Sequence, residues 1–178
     1  MKRFMTVSLI LLLFWCVSPS QVFPQEKMTP VKVTEGVYMF ENSRGSGNST
    51  VVITDDGVLV LDFHIGNADQ TVAGIRKLTD KKVKYLISSH SAGDHASGAW
   101  HFREDKPVYI ATKNQVQDLF MQEAAEFEER KNSNERRYAA YKGKELVRPD
   151  IGFDGTMTFY FGGLTFHITA EGRGHSTG

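Results

Sequence analysis

The chain has 178 residues, with 21 basic and 21 acidic side chains and a formal net charge of zero. That balance gives no electrostatic footing for nucleic acid or an acidic partner. Apolar and aromatic fractions of 40% and 11% exclude a disordered chain, and the length suits one domain that buries a core without disulfides.

The amino terminus differs in kind from the rest. Met1, Lys2 and Arg3 give a basic start, Phe4 to Val17 is apolar apart from Thr6 and Ser8, and Ser18, Pro19 and Ser20 supply small residues near a cleavage point. The run is shorter than the about 20 residues a membrane span needs. Residues 1–20 therefore read as a signal peptide and the mature chain as secreted or periplasmic, with no stable membrane span after cleavage. An uncleaved anchor is the alternative. The one cysteine, Cys16, lies inside this segment behind bulky Trp15, which suits a lipoprotein site poorly. A mature chain without it has no disulfide, thiolate nucleophile or thiolate ligand.

A Pro-containing connector, Gln21–Pro30, leads into a domain expected over residues 31–178, whose strand pattern begins at Val31 and continues through Gly36–Phe40. Ser43–Ser49 is a Gly/Ser/Asn-rich loop. Thr50–Thr54 and Val58–Asp62, separated by Asp55-Asp56-Gly57, read as a β-hairpin. Ala68, Val72, Ile75 and Leu78 recur at helical spacing, so Asn67 to about Asp80 is an amphipathic helix. The apolar run Val83–Ile87 completes a strand–helix–strand unit with parallel pairing. No internal repeat is present.

The stretch that follows, from Ser88 to Gly98, clusters two imidazoles and a carboxylate in a loop at the carboxyl end of a strand. Ligands gather at that edge of open α/β sheets. Pro107–Ala111 reads as another strand. Thr112 and Gln115, three apart, form a capping-box pattern opening a helix. Val116, Leu119, Phe120, Ala124 and Phe127 make its core-facing stripe, with both phenylalanines read as packing. Glu128 to Lys144 reads as a solvated helix end and loop, with an excursion shaping a substrate entrance as the second reading. Thr156–Phe161 and Leu164–Ile168, joined by Gly162-Gly163, alternate as a second hairpin with one apolar face. His167 faces away from Phe166 and Ile168 and reads as structural.

Imidazole and carboxylate are the usual zinc donors where cysteine is missing. The candidates are His90, Asp94 and His95 on one loop and His175 on a second. Gly93 and Gly98, with small Ser91 and Ala92, let the first loop curl so that the adjacent Asp94 and His95 can serve one metal. On spacing alone, a polar loop with incidental histidines is the competing reading.

Five landmarks in order carry a resemblance: Gly36-Val37-Tyr38, Asn48-Ser49, the Asp56-Gly57 hairpin ending at Asp62, the loop His90-Ser91-Ala92-Gly93-Asp94-His95, and Gly174-His175-Ser176-Thr177-Gly178. Together they resemble the metallo-β-lactamase fold superfamily. The loop matches its H-x-H-x-D-H motif except that Ala92 stands where the second histidine belongs, and the last landmark matches its G-H-[ST]-x-G turn. The resemblance implies an α/β fold, a four-layer αβ/βα sandwich of two related halves, here incomplete and mainly the amino-terminal half. It implies one or two metal ions, zinc by default and iron in some relatives. His90 and His175 would serve the first ion, and Asp94 and His95 the second, with Asp94 as the catalytic carboxylate. Metal-bound hydroxide would then act on an ester, amide, thioester or phosphoester of a small-molecule substrate.

Ala92 leaves the first site two protein ligands, with His64 and His101 as auxiliary donors. The family's bridging aspartate and final histidine lie in its second half, and no residues here supply them. The expectation is a fragment of a longer gene, or a chain that completes itself by self-association through an uncovered apolar sheet face. A non-catalytic or degraded metal-binding member, or an inactive fragment, is the alternative function.

Overall fold

The computed structural model describes residues 28–42 and 47–172. The expected signal peptide, most of the connector and the His175 turn lie outside the described residues, as does the side chain of Phe120. Four strands follow one another as an antiparallel meander: β1 (Met28–Thr34), β2 (Val37–Asn42), β3 (Ser49–Thr54) and β4 (Gly57–Leu61). β1 is already paired at Met28, opposite Asn42, three residues before the pattern at Val31 suggests. The reason is that buried Met28 supplies an apolar anchor ahead of Pro30. The β1–β2 turn needs Gly36, whose φ is +72° and where a Cβ would stand 2.8 Å from the Ile53 carbonyl oxygen.

From β4 the pairing turns parallel. Helix α1 (Ala68–Leu78) crosses to β5 (Val83–Ile87), which pairs with β4, and β6 (Val108–Thr112) and β7 (Ile151–Phe153) continue the sheet. The seven strands lie in sequence order. Thr112 caps the next helix, α3 (Lys113–Met121), by accepting from the Gln115 N–H at 3.2 Å.

Alternation along the central strands sends side chains to both faces of the sheet. Phe40, Val51, Val58, Val60, Leu86 and Tyr109 pack with Ala68, Ile75 and Leu119 under the helices. Leu59, Ile87, Ile110 and Phe153 point the other way. Over them lies a separate two-stranded sheet, β8 (Thr156–Phe161) with β9 (Leu164–Thr169), contributing Met157, Phe159, Phe161, Phe166 and Ile168. Tyr85 meets the Phe159 and Phe161 rings at 5.2 and 4.8 Å. The face expected to be uncovered is thus covered in part by the chain's own hairpin. His167 lies on the hairpin's outer side, exposed, with Nδ1 2.9 Å from the Thr158 hydroxyl.

Two expectations need correction. The stripe from Val116 to Phe127 is not one helix: α3 ends at Met121, Gln122 interrupts it, and α4 (Glu123–Asn132) begins a second. Leu119 accordingly joins the main core while Phe127 packs with Ile65 and Tyr141 in a third cluster. Nor is the segment after Glu128 wholly solvated. A 3-10 turn at Arg136–Tyr141 returns the chain, and buried Tyr141 meets the Phe127 ring at 5.1 Å. Charge composition hides this because two aromatic residues suffice to dock the segment.

Helix α1 approaches the sheet through Gly74, where a Cβ would stand 2.2 Å from Cε1 of the fully buried Phe40. Helix propensity alone favours alanine over glycine by about 1 kcal/mol. Overpacking reverses the sign: Gly74→Ala should destabilise the fold by about 1–3 kcal/mol, read from the midpoint of urea unfolding. A stabilised variant would contradict this helix–sheet contact.

Candidate metal centre

The site is built where two parallel strands end together. Register pairs Leu61 with Ile87, so Asp62 and Ser88 leave the sheet side by side, and the Asp62 N–H still donates to the Ile87 carbonyl at 2.9 Å. Asp62 then takes a left-handed backbone conformation, φ +60°, which aspartate tolerates better than most residues. Its nearly buried carboxylate accepts three hydrogen bonds across the gap. The Ser89 N–H donates to Oδ1 at 2.6 Å, the Ser89 hydroxyl to Oδ2 at 2.8 Å, and His95 Nδ1 lies 2.9 Å from Oδ2.

His95 sits on a single helical turn, α2 (Gly93–Ala96), whose first carbonyl partner is Ala92. Its own carbonyl accepts from Phe63 at 2.8 Å, so the turn is clamped to the strand that carries Asp62. Gly98 allows that approach, since a Cβ there would stand 2.5 Å from the Phe63 oxygen. Beneath the loop, the Ser88 hydroxyl meets the Tyr109 hydroxyl at 2.8 Å and donates to Gln115 Oε1 at 3.1 Å. Burial pushes the Tyr109 phenol far up, so it stays protonated.

These bonds decide both imidazole tautomers. A carboxylate only accepts, so His95 Nδ1 carries a proton, and the neutral ring has its lone pair at Nε2. Ser89 gives its one hydroxyl proton to Asp62, so His90 Nδ1, 3.0 Å from the Ser89 oxygen, must be the donor there. That places the His90 lone pair on Nε2 as well. The two rings lie 4.1 Å apart, and Asp94 Oδ2 is 3.6 Å from His95 Nε2. One ligand atom from each of His90, Asp94 and His95 falls within 4.8 Å of the others, all half-buried.

This donor set fits a divalent cation. Tetrahedral zinc, with bonds near 2.0–2.1 Å, separates its donors by about 3.4 Å, close to the His95–Asp94 spacing. Two imidazoles and a carboxylate are usual zinc donors, and Asp62 stands behind His95 as its hydrogen-bond partner. Ala92 stands at the start of α2 and contributes only a methyl group. Neither auxiliary histidine belongs to the three-donor group. His64 accepts from the Gly66 N–H through Nδ1 at 3.2 Å and faces a neighbouring pocket. His101, on the 3-10 turn Ala99–Phe102, is packed edge-on against Trp100, its Nε2 buried without a hydrogen-bond partner among the described residues. His175 lies outside those residues.

Sequence reasoning reads Asp62 only as a hairpin end and passes over Ser89. The clue was present: in a parallel pair, the residue after one strand stands beside the residue after the next.

Residues 42–178 match the family model described as the metallo-beta-lactamase superfamily. The chain belongs to that superfamily. The metallo-beta-lactamase of Pontibacter korlensis superimposes with a TM-score of 0.63 at 18% identity, over 85% of this chain and 64% of that one. The native metallo-beta-lactamase of Legionella gormanii gives 0.64 at 21%, over 88% and 58%. The subclass B3 metallo-beta-lactamase of Bradyrhizobium japonicum gives 0.64 at 19%, over 86% and 55%. At these identities the likeness is one of fold, and this superfamily member spans between about half and two thirds of their length. A comparison with curated protein sequences gives no match. Among the described residues no helix is long and apolar enough to cross a membrane.

His101 makes the superfamily domain pH-sensitive. Burial, opposed by Asp69 and assisted by Lys144, holds its pKa below the ordinary 6.5. A depressed histidine pKa means the unfolded chain binds the proton first, so this contribution is whole above pH 6.5 and is lost as pH falls below it. Urea unfolding at pH 7.5 and 5.5 should show a smaller loss in His101→Gln than in the unaltered chain. Equal losses would place the titration elsewhere.

Proposed function

We propose that this chain is a metal-dependent hydrolase whose His90, Asp94 and His95, together with His175, hold one or two zinc ions and act on an ester, amide, thioester or phosphoester. The single observation behind this reading is that His90, Asp94 and His95 each bring one ligand atom within 4.8 Å of the others, with Asp62 holding His95 through Nδ1. Secretion, read from residues 1–20, belongs to the same proposal.

When bound, the cation supplies Lewis acidity, acidifying water near neutral pH and polarising a carbonyl or phosphoryl oxygen. The chain's own residues do the remainder. His90 and His95 would hold the cation, and Asp62 keeps His95 oriented through Nδ1. Asp94, whose side chain is 43% exposed, would accept the proton that the attacking water gives up and pass it to the leaving group.

The test is zinc binding to chelator-treated protein, followed by calorimetry and elemental analysis. About one ion or more per chain is expected, and Asp62→Asn should weaken zinc affinity about 10–100-fold. No retained metal, or an Asp62→Asn variant that binds as tightly as before, would remove the reading.

Ala92 favours a second reading, a degraded member that binds weakly and does not turn over. Ala92→His separates the two, because it restores a third imidazole to the loop. Tighter zinc binding with faster p-nitrophenyl acetate hydrolysis is expected if lost coordination limits the chain. No gain in either would discard site decay as the limitation.

A further inference from the structure

Beside the metal loop lies a pocket of about 360 Å³ that the reading above leaves unused. Its walls include His64 and Ile65 from the loop after β4, Arg130 from the last turn of α4, and Arg137, Tyr138 and Tyr141 from the 3-10 turn. The volume is at the low end for ligand sites, about 300–1,000 Å³, enough for one polar group on a short stem. It adjoins the candidate metal centre through Gly93. A Cβ there would stand 3.3 Å from both Arg130 Nη1 and the Tyr141 hydroxyl, and the next residue is Asp94.

Four of the side chains lining it, Arg130, Arg137, Tyr138 and Tyr141, can donate hydrogen bonds. Arg137 lies 4.7 Å over the Tyr138 ring and pairs with Glu135 through Nε at 2.7 Å, so its two terminal nitrogens stay available. Arg130 is anchored by Glu126, with Glu123 at 3.9 Å from Nη1, and its guanidinium lies 5.9 Å over the Tyr141 ring. Burial raises the Tyr141 pKa, keeping its hydroxyl a donor at neutral pH. Glu126 and Glu135 are 50% and 57% exposed and so lie toward solvent. A planar acceptor group matches such a wall, and arginine's fork matches a carboxylate best.

We propose that this pocket binds a carboxylate group of the substrate through Arg137, Tyr138 and Tyr141, while the bond to be cleaved lies at His90, Asp94 and His95. The subsite role rests on the metallohydrolase reading; the binding of the anion does not. Arg130 acts as a positioning residue, holding Tyr141 between the pocket and Gly93.

Metal-free full chain, prepared with chelator, is titrated with benzoate and with its neutral analogue benzamide by calorimetry. Benzoate should bind about tenfold or more tightly than benzamide, and Arg137→Gln should lose about tenfold in benzoate affinity. Arg137→Lys should recover part of that loss. The Arg137 side chain is 68% exposed, so the substitution spares the core, and Tyr138→Phe provides an independent second variant with weakened binding expected. Equal binding of benzoate and benzamide, absent benzoate binding, or indifference to Arg137→Gln and Tyr138→Phe would overturn the pocket. Tighter binding of phenylphosphonate than of benzoate would overturn the choice of carboxylate.

Zinc-loaded protein is then assayed on mono-p-nitrophenyl succinate and p-nitrophenyl acetate. A preference for the succinate ester that disappears in Arg137→Gln supports the subsite. A preference unchanged in Arg137→Gln overturns it. Hydrolysis of neither ester, with benzoate binding intact, would overturn the hydrolase reading and the subsite role while leaving the anion pocket standing.

Discussion

The carboxylate of Asp62 joins the ends of two parallel strands and dictates what happens between them. Three donors converge on it, two from Ser89 and one from His95. Where a strand leaves the ladder, backbone groups lose partners, and this carboxylate satisfies one of them, the Ser89 N–H, together with two side chains. The same bonds set the protonation of His95 directly and of His90 through Ser89. Loop geometry and metal-ligand chemistry are therefore one constraint. The left-handed backbone of Asp62 is the local cost of placing its side chain back across the sheet edge, and three charge-assisted bonds hold it there.

Around that constraint the fold separates tasks by position. Apolar side chains on the two sheet faces bury against α1 and α3 on one side and the β8–β9 hairpin on the other. Polar chemistry is confined to the carboxyl edge. There it is supported from below by the buried network of Ser88, Tyr109 and Gln115, in which Gln115 Nε2 also donates to the Ser88 carbonyl at 3.1 Å. A satisfied buried network of this kind fixes one arrangement of the loop above it. The excursion from α4 to the 3-10 turn adds a third layer at that edge and brings two guanidinium groups beside a site whose own charge is negative.

That juxtaposition bears on how a member of this superfamily acquires selectivity. Fold does not specify substrate; side chains grafted around a shared centre do. In this chain residues 123–144, from α4 through the 3-10 turn, have no part in the sheet, so they are free to vary without disturbing the strand ends. They dock through Phe127 and Tyr141, packed with Ile65, and Tyr138, Ala140 and Leu146 pack against that cluster. Ala92 marks the opposite kind of change, a position inside the metal loop where a donor is replaced by a methyl group while the helical turn carrying His95 keeps its backbone hydrogen bonds.

Much of the fold was legible in the linear chain because it follows from local rules. Asp55-Asp56-Gly57 marks a turn, Ala68 to Leu78 has helical spacing, and Thr112 caps the following helix. The cluster of His90, Asp94 and His95 was equally plain, being contiguous. Other features depend on residues far apart in sequence. The break at Gln122 occurs because Leu119 and Phe127 are claimed by different cores, which a single apolar stripe does not reveal. Asp62 meets His95 only because β4 and β5 run parallel and end in register. Arg130 and Tyr141 meet Gly93 only because the chain doubles back after α4. Local propensity determined the elements and the ligand-bearing loop; strand register and long-range packing decided which charges, protons and donors face one another there, since those depend on distances that no residue sets alone.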